Sequence, residues 1–141
     1  MCFTPPVRLT PEAIADLANI PAAYKVFPPD GKWPKGIHRF LGIDNERVLF
    51  YGKTGDLKGR LKALLRSIGQ KDGHSEGNLI HILNREADGF GIQQVMFSYK
   101  AEDTEEAATE EEERLIKKYI QRFGEVPPIN SAIPKRNGPW P

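Results

Sequence analysis

The chain has 141 residues, 39% apolar and 28% charged, with a formal net charge of +1. That is enough for one domain burying roughly two-thirds of the surface of its unfolded chain, and a near-neutral total does not by itself select a polyanionic partner. The single cysteine, Cys2, excludes an intrachain disulfide and a thiolate zinc cluster; with no apolar run near the roughly 20 residues of a membrane span and no signal-like pattern over Met1–Pro6, a cytoplasmic chain without membrane contact is expected.

Residues 1–34 read as a proline-rich extension carrying Pro5, Pro6, Pro11, Pro21, Pro28, Pro29 and Pro34. Thr10-Pro11-Glu12 is a capped helix entry, and Ile14, Leu17 and Ala18 supply a small apolar face for a short helix to about Asn19. Tyr24-Lys25-Val26-Phe27 reads as a brief edge strand or an extended strap, ended by a turn at Pro28-Pro29-Asp30-Gly31, with Trp33 packing at the junction. Two β-prone runs follow, Gly36–Ile43 and Arg47–Lys53, and the short Asp44-Asn45-Glu46 between them predicts an antiparallel hairpin. The period then becomes helical: Leu57, Leu61, Leu64, Leu65 and Ile68 share a face, with Asp56 at the entry and Gly69 at the stop. After a loop at 70–74, Ser75 is the predicted cap of a second helix to about Glu86, with Leu79, Ile82, Leu83 and Ile80 facing the core. A glycine turn at 87–91 leads into a third strand, Ile92–Lys100, expected to be buried on both faces. Thr104 caps a long helix that Gly124 terminates, and residues 135–141 form a basic, proline-containing tail. The fold expected is α/β, a small three-stranded antiparallel sheet with helices on both sides, plus an N-terminal helical extension; residues 35–134 form the main domain.

Charge is unevenly spread. Lys53, Lys58, Arg60, Lys62, Arg66 and Lys71 surround the first core helix, whereas Glu102 to Glu113 is acidic without an intervening base. Such runs are more often a solvated face than a nucleic-acid contact. On the last helix Ala108, Leu115, Ile116, Tyr119 and Phe123 make the apolar stripe, and Glu112 falls in its middle while Glu110 and Glu113 point away. A carboxylate facing a core is costly unless it is paired, to Arg60 or Lys53 for example, or holds a cation. Arg60 lies at the edge of its own helix's stripe, where a guanidinium looks into a cleft and can clamp a phosphate. Lys53, beside Gly52 and Gly55, offers a point charge; the alternative is a base snorkelling over apolar neighbours.

Gly36-Ile37-His38, then Leu49-Phe50-Tyr51-Gly52-Lys53-Thr54-Gly55-Asp56-Leu57-Lys58-Gly59-Arg60-Leu61, then Glu112–Tyr119 followed by Pro128-Ile129-Asn130, resemble in order the motifs of the GIY-YIG nucleases, over roughly Gly36 to Asn130. The resemblance implies metal-dependent hydrolysis of DNA phosphodiesters. Glu112 would hold Mg²⁺ or Mn²⁺, Arg60 and Lys53 would stabilise the phosphate, and Asn130 would orient the catalytic helix region, though turn formation also accounts for an Asn there. Lys58, Lys62, Arg66 and Asn130 are the expected nucleic-acid contacts. The family's two strand tyrosines are replaced, on this alignment, by His38 and Phe50. His38 is a candidate base, a core histidine bonded to a carbonyl being the other possibility, and Phe50 has no hydroxyl to offer. Where relatives carry a His one turn after the helix Arg this chain has Leu64, with His74 and His81 as replacements. The rival readings are a GIY-YIG-like module that binds DNA or protein without cleaving, and an interaction protein using the acidic block.

Overall fold

A computed structural model describes residues 2–29, 35–70, 74–87, 94–130, 133–134 and 140–141. The loop at 71–73, the turn residues Asp30 and Gly31, Trp33, positions 88–93 and the tail bases Lys135 and Arg136 lie outside the described residues. In chain order the elements are β1 (Val7–Arg8), α1 (Pro11–Ala15), β2 (Ala22–Phe27), β3 (Ile37–Arg39), β4 (Gly42–Asp44), β5 (Phe50–Thr54), α2 (Leu57–Gln70), α3 (Ser75–Glu86), β6 (Met96–Ala101) and α4 (Glu105–Phe123).

The main sheet is antiparallel and has four strands, not three, in the order β1-β6-β2-β5. Its interior includes β2, which the prolines on either side had suggested was an edge strand or strap. Those prolines stand just outside the ladder, so no strand hydrogen bond is lost, and Ala22, Ala23, Tyr24, Val26 and Phe27 are all buried. The N-terminal residues are therefore part of the core rather than a cover on it.

The hairpin expected between Gly36–Ile43 and Arg47–Lys53 does not form. Instead β3 pairs with β4 in a separate two-stranded sheet, with Phe40 and Leu41 at its tip, 78% and 61% exposed. The reason lies in the segment that follows. The buried Asp44 carboxylate accepts from the backbone N–H groups of Glu46, Arg47 and Val48 at 2.9, 3.0 and 3.0 Å. This curls the chain, with Arg47 at φ 62°, and delivers β5 to β2 rather than back along β4. The Tyr119 hydroxyl donates to the same carboxylate at 2.9 Å, fastening α4 to the turn. The hairpin tip is held to the end of α4 as well: Leu41 N–H donates to Phe123 O, and Arg39 pairs with Glu125.

Strand alternation assigns the two layers. Tyr24, Val26 and Phe50 face α2 and α3, packing with Leu57, Leu61, Leu64, Ile68 and Ile80. Phe27 and Tyr51 face α4, packing with Ile116, Tyr119 and Phe123. On α3 the buried face is Gly77 and Ile80, with Leu83 packed beside it; of the expected stripe Ile80 and Leu83 face the core, whereas Leu79 and Ile82 are 36% and 38% exposed. The close approach of α3 to α2 decides this, because Gly77 sits directly on Ser67 and leaves no room for a larger face. The cap of α3 is His74 rather than Ser75, which donates instead to Glu76. Thr104 caps α4 and Gly124 ends it at φ 77°, a left-handed conformation natural to glycine, both as the sequence indicates. Helix α1 stops at Ala15, four residues short of the expectation. Among the described residues no helix is long and apolar enough to cross a membrane.

Asp44→Ala strands three backbone donors and the Tyr119 hydroxyl in a buried turn. It is expected to lower unfolding free energy by about 3 kcal/mol in urea titrations, against about 1 kcal/mol for Tyr119→Phe, which removes one of those donors.

Candidate active site

Tyr24 sits opposite Gly52 in the β2–β5 ladder. Its ring crosses the strand over Gly52 so closely that a Cβ at that position would collide with the ring and the hydroxyl. The glycine is thus what lets a phenol starting on an interior strand reach the helices beyond. There, Arg60 Nε donates to the Tyr24 hydroxyl at 3.4 Å, and His74 Nε2 lies 3.4 Å from the same oxygen. Phe50 lines the array as an apolar wall, edge-on to Tyr24 with centroids 6.3 Å apart and to His74 at 6.2 Å. Burial pushes the Tyr24 phenol up to about 12, and the adjacent Arg60 charge opposes that rise.

Arg60 is placed by α2, whose entry is built from Thr54 and Asp56. The Asp56 carboxylate accepts from Gly59 N–H at 3.1 Å and from the Asn19 amide at 2.7 Å. The backbone bond from Gly59 and then the Asn19 bond hold its pKa below the usual carboxylate value. With the first turn set, Arg60 falls three residues after Leu57, at the rim of the apolar face.

From the other side of the sheet, α4 brings Glu111 and Glu112 into opposite circumstances. Glu111 is bridged to Lys100 at 2.9 Å and to Arg114 at 2.6 Å, and hydrogen bonding from Arg114 pulls it down to about 2. Glu112 is half-buried, and none of the described residues forms an ion pair or hydrogen bond with its carboxylate. Burial raises it to about 7 against the opposing attraction of Lys53 and Arg60, with Glu76 and Glu113 adding to the rise. The two neighbouring carboxylates are thus shifted in opposite directions, Glu111 by its cations and Glu112 by burial. Lys53, at the end of β5, stands 3.7 Å from Glu105 in an exposed pair.

Tyr24, Lys53, Arg60, His74, Glu76 and Glu112 therefore converge from β2, β5, α2, α3 and α4. Of the residues singled out in the sequence, Lys53, Arg60 and Glu112 are brought together. His38 is not: it is exposed on β3 and pairs with Ile43 in the separate hairpin. Among the nucleic-acid candidates, Lys58 reaches the Ala15 carbonyl at 3.2 Å, and Lys62 and Arg66 are exposed on α2. Asn130 is committed elsewhere. Its amide oxygen accepts from Tyr51 N–H at 2.9 Å and its amide nitrogen donates to Tyr51 O at 3.1 Å, so it clamps the outer edge of β5 instead of facing a phosphate. Phe50 and Tyr51 do point to opposite faces, as their spacing requires. Leu64 is core.

The sequence does not single out Tyr24, because its prolines make Tyr24–Phe27 read as a brief edge strand or an extended strap. The available signal was Ala22-Ala23 before it, two small residues that suit an interior strand crowded on both sides.

Among the described residues no group of three or more His, Cys, Asp or Glu side chains is arranged to hold a metal ion. What Glu112 fits is a divalent cation completed by water and substrate phosphate, because a half-buried carboxylate without a protein partner gains most from such a charge. A groove of about 640 Å³ on the far side of β5, lined by Lys25, Asp44, Tyr119 and Arg122, lies apart from these residues. Its Asp44 and Tyr119 are bonded to each other, so its central polar groups are already satisfied.

No protein-family model, no curated protein and no solved structure matches this chain.

Gly52→Ala drives a methyl into the Tyr24 ring and is expected to cost about 2–3 kcal/mol by urea denaturation, the usual penalty for overpacking. Glu112 sets a pH dependence of opposite sign to that of a salt-bridged carboxylate. The native state keeps the proton up to about pH 7, whereas the unfolded chain releases it near 4.5, so stability falls as pH rises between those values. Glu112→Gln should be about 1–3 kcal/mol more stable than the parent at pH 8, the difference closing toward pH 4.5, as read from urea midpoints across pH.

Proposed function

We propose that the chain is a divalent-metal-dependent endonuclease of the GIY-YIG type that hydrolyses phosphodiester bonds in DNA. The observation that carries this reading is the half-buried Glu112 carboxylate, without an ion-pair or hydrogen-bond partner among the described residues and raised to about 7, with Lys53 and Arg60 as the cations it senses. In-line attack on a phosphate requires charge neutralisation on the non-bridging oxygens and a hydroxyl to orient the attacking water, which two cations beside Glu112 and the Tyr24 phenol beside Arg60 can supply. Arg60 and Lys53 bind and neutralise the phosphate. Glu112 holds Mg²⁺ or Mn²⁺, which when bound supplies Lewis-acid stabilisation of the charge developing on oxygen. Tyr24 orients the attacking water through its hydroxyl hydrogen, and the proton that the water loses passes to solvent.

Support for Tyr24 comes from the sheet. The strand beside Phe50–Thr54 is β2 and not residues 36–38, so the tyrosine on the neighbouring strand is Tyr24. This supports the resemblance at one of its two strand tyrosines and gives Tyr24, rather than the exposed His38, the water-orienting role. A second reading, a module that binds DNA without cleaving it, is favoured by one feature: Phe50 is fully buried against Tyr24 and His74 and supplies no second hydroxyl.

The two readings separate in one assay, nicking of supercoiled and branched DNA with Mg²⁺ or Mn²⁺. The parent is expected to nick, Glu112→Ala to abolish the activity, and Tyr24→Phe to lower kcat on the order of a hundredfold. Salt-sensitive DNA binding without metal-dependent nicking by the parent would establish the binding module instead.

A further inference from the structure

Resting on the hydrolytic reading above, we propose that His74 is a positioning residue: capping α3 with one ring nitrogen fixes its tautomer, so that the other nitrogen joins Arg60 in turning the Tyr24 phenol proton toward the reacting water. The resemblance offers His74 only as a replacement for the helix histidine that Leu64 displaces, and gives it no role at a tyrosine.

The argument begins at the helix cap. Gly77 N–H lies 3.2 Å from His74 Nδ1, and an amide N–H can only donate. Nδ1 must therefore present its lone pair, and the neutral imidazole carries its hydrogen on Nε2. That nitrogen faces the Tyr24 oxygen at 3.4 Å. Arg60 Nε, also obligatorily a donor, faces the same oxygen at 3.4 Å. With two donors aimed at it, the phenol oxygen uses both lone pairs as acceptors, and its own hydrogen is directed to a third group. Among the described residues no other side chain bonds to the hydroxyl, which leaves that direction to the substrate side, where Glu112 and Arg60 act.

The competing arrangement places the hydrogen on Nδ1, which is 3.5 Å from Glu76 Oε2. It fails because it would set two hydrogens against each other at the Gly77 amide. Nor is the ring an imidazolium at neutral pH: burial first, and then the Arg60 charge, lower its pKa to about 4 against the opposing Glu76. Among the described residues the groups facing the ring are Arg60 from α2, Tyr24 from β2 and Glu76 from α3.

Any ordinary cap would satisfy the helix; only a ring with two nitrogens serves both the helix and Tyr24. This makes the proposal separable from a structural role. Asparagine caps as well as histidine does but does not extend to Tyr24. His74→Asn is therefore expected to keep the parent's circular dichroism and cooperative melting while lowering kcat ten- to a hundredfold at unchanged KM. In a Tyr24→Phe background the same substitution should have no further effect, because its target is gone. An equal loss in both backgrounds would overturn the proposal, as would full activity of His74→Asn.

A measurement that needs no activity decides the geometry. Long-range proton–nitrogen correlation spectra of the intact protein, with the His74 signals assigned by their absence in His74→Asn, should show a protonated Nε2 and a bare Nδ1 from pH 5 to 8. A hydrogen on Nδ1, or an imidazolium at pH 7, would sink the proposal whether or not the chain cleaves DNA. An inactive parent with the Nε2–H tautomer would instead remove the hydrolytic reading and leave the hydrogen-bond array standing.

Discussion

The crossing of the Tyr24 ring over Gly52 is the contact on which the rest of the site depends. It requires β2 and β5 to be neighbours in one register, with the one residue that has no side chain directly opposite the phenol. Once the ring is there, Arg60 and His74 have a common acceptor, and Phe50 has two rings to pack against. The polar array and the aromatic core are therefore one cluster. That also accounts for a phenylalanine at position 50: a hydroxyl on a ring with no exposure would need a partner, and the nearby donors are already aimed at Tyr24.

Holding β5 in place falls to two side chains that lie outside its own sheet. Asn130 meets Tyr51 with both ends of its amide, reproducing the two hydrogen bonds a neighbouring strand residue would make, and Ile129 N–H donates to Leu49 O beside it. An edge that would otherwise offer unpaired groups to another chain is closed with a short irregular segment. At the start of the strand, Asp44 gathers three amides and the Tyr119 hydroxyl. Together these clamps join β5 to α4, and so keep Lys53 and Glu112, which belong to different elements, within range of one another.

Electrostatically the site is purchased at the expense of the fold. Glu111 shows what α4 does with a carboxylate meant for stability: two cations hold it ionised. One residue further on, Glu112 is denied such partners, and burial raises it to about 7. Burial without an ion-pair partner among the described residues costs the fold stability that a salt bridge to Arg60 would have supplied.

The helices were legible from the residues alone. Thr104 and Gly124 bound α4, and Leu57, Leu61, Leu64 and Ile68 mark the buried side of α2, because caps and a 3.6-residue period act over a few neighbouring residues. For the same reason the inward placing of Glu112 and the rim position of Arg60 could be read from their stripes. Strand pairing had no such local signature. Residues 36–43 are as β-prone as 22–27, and only the Asp44 turn and the burial of a six-residue strand between β5 and β6 made the second the interior one. His74 and Tyr24 meet across 50 residues, and Arg60 and Tyr24 across 36. The sequence by itself determined that α2, α3 and α4 form, where α4 starts and stops, and that Glu112 and Arg60 stand at the inner side of their helices, since each of those is settled by neighbours along the chain; the early end of α1, the His74 cap of α3 and the burial of Glu111 needed the tertiary structure. Which strands adjoin, and therefore which phenol and which imidazole complete the site, only the tertiary structure decided. Those contacts are chosen by a competition among distant apolar segments for one core, which no local period records.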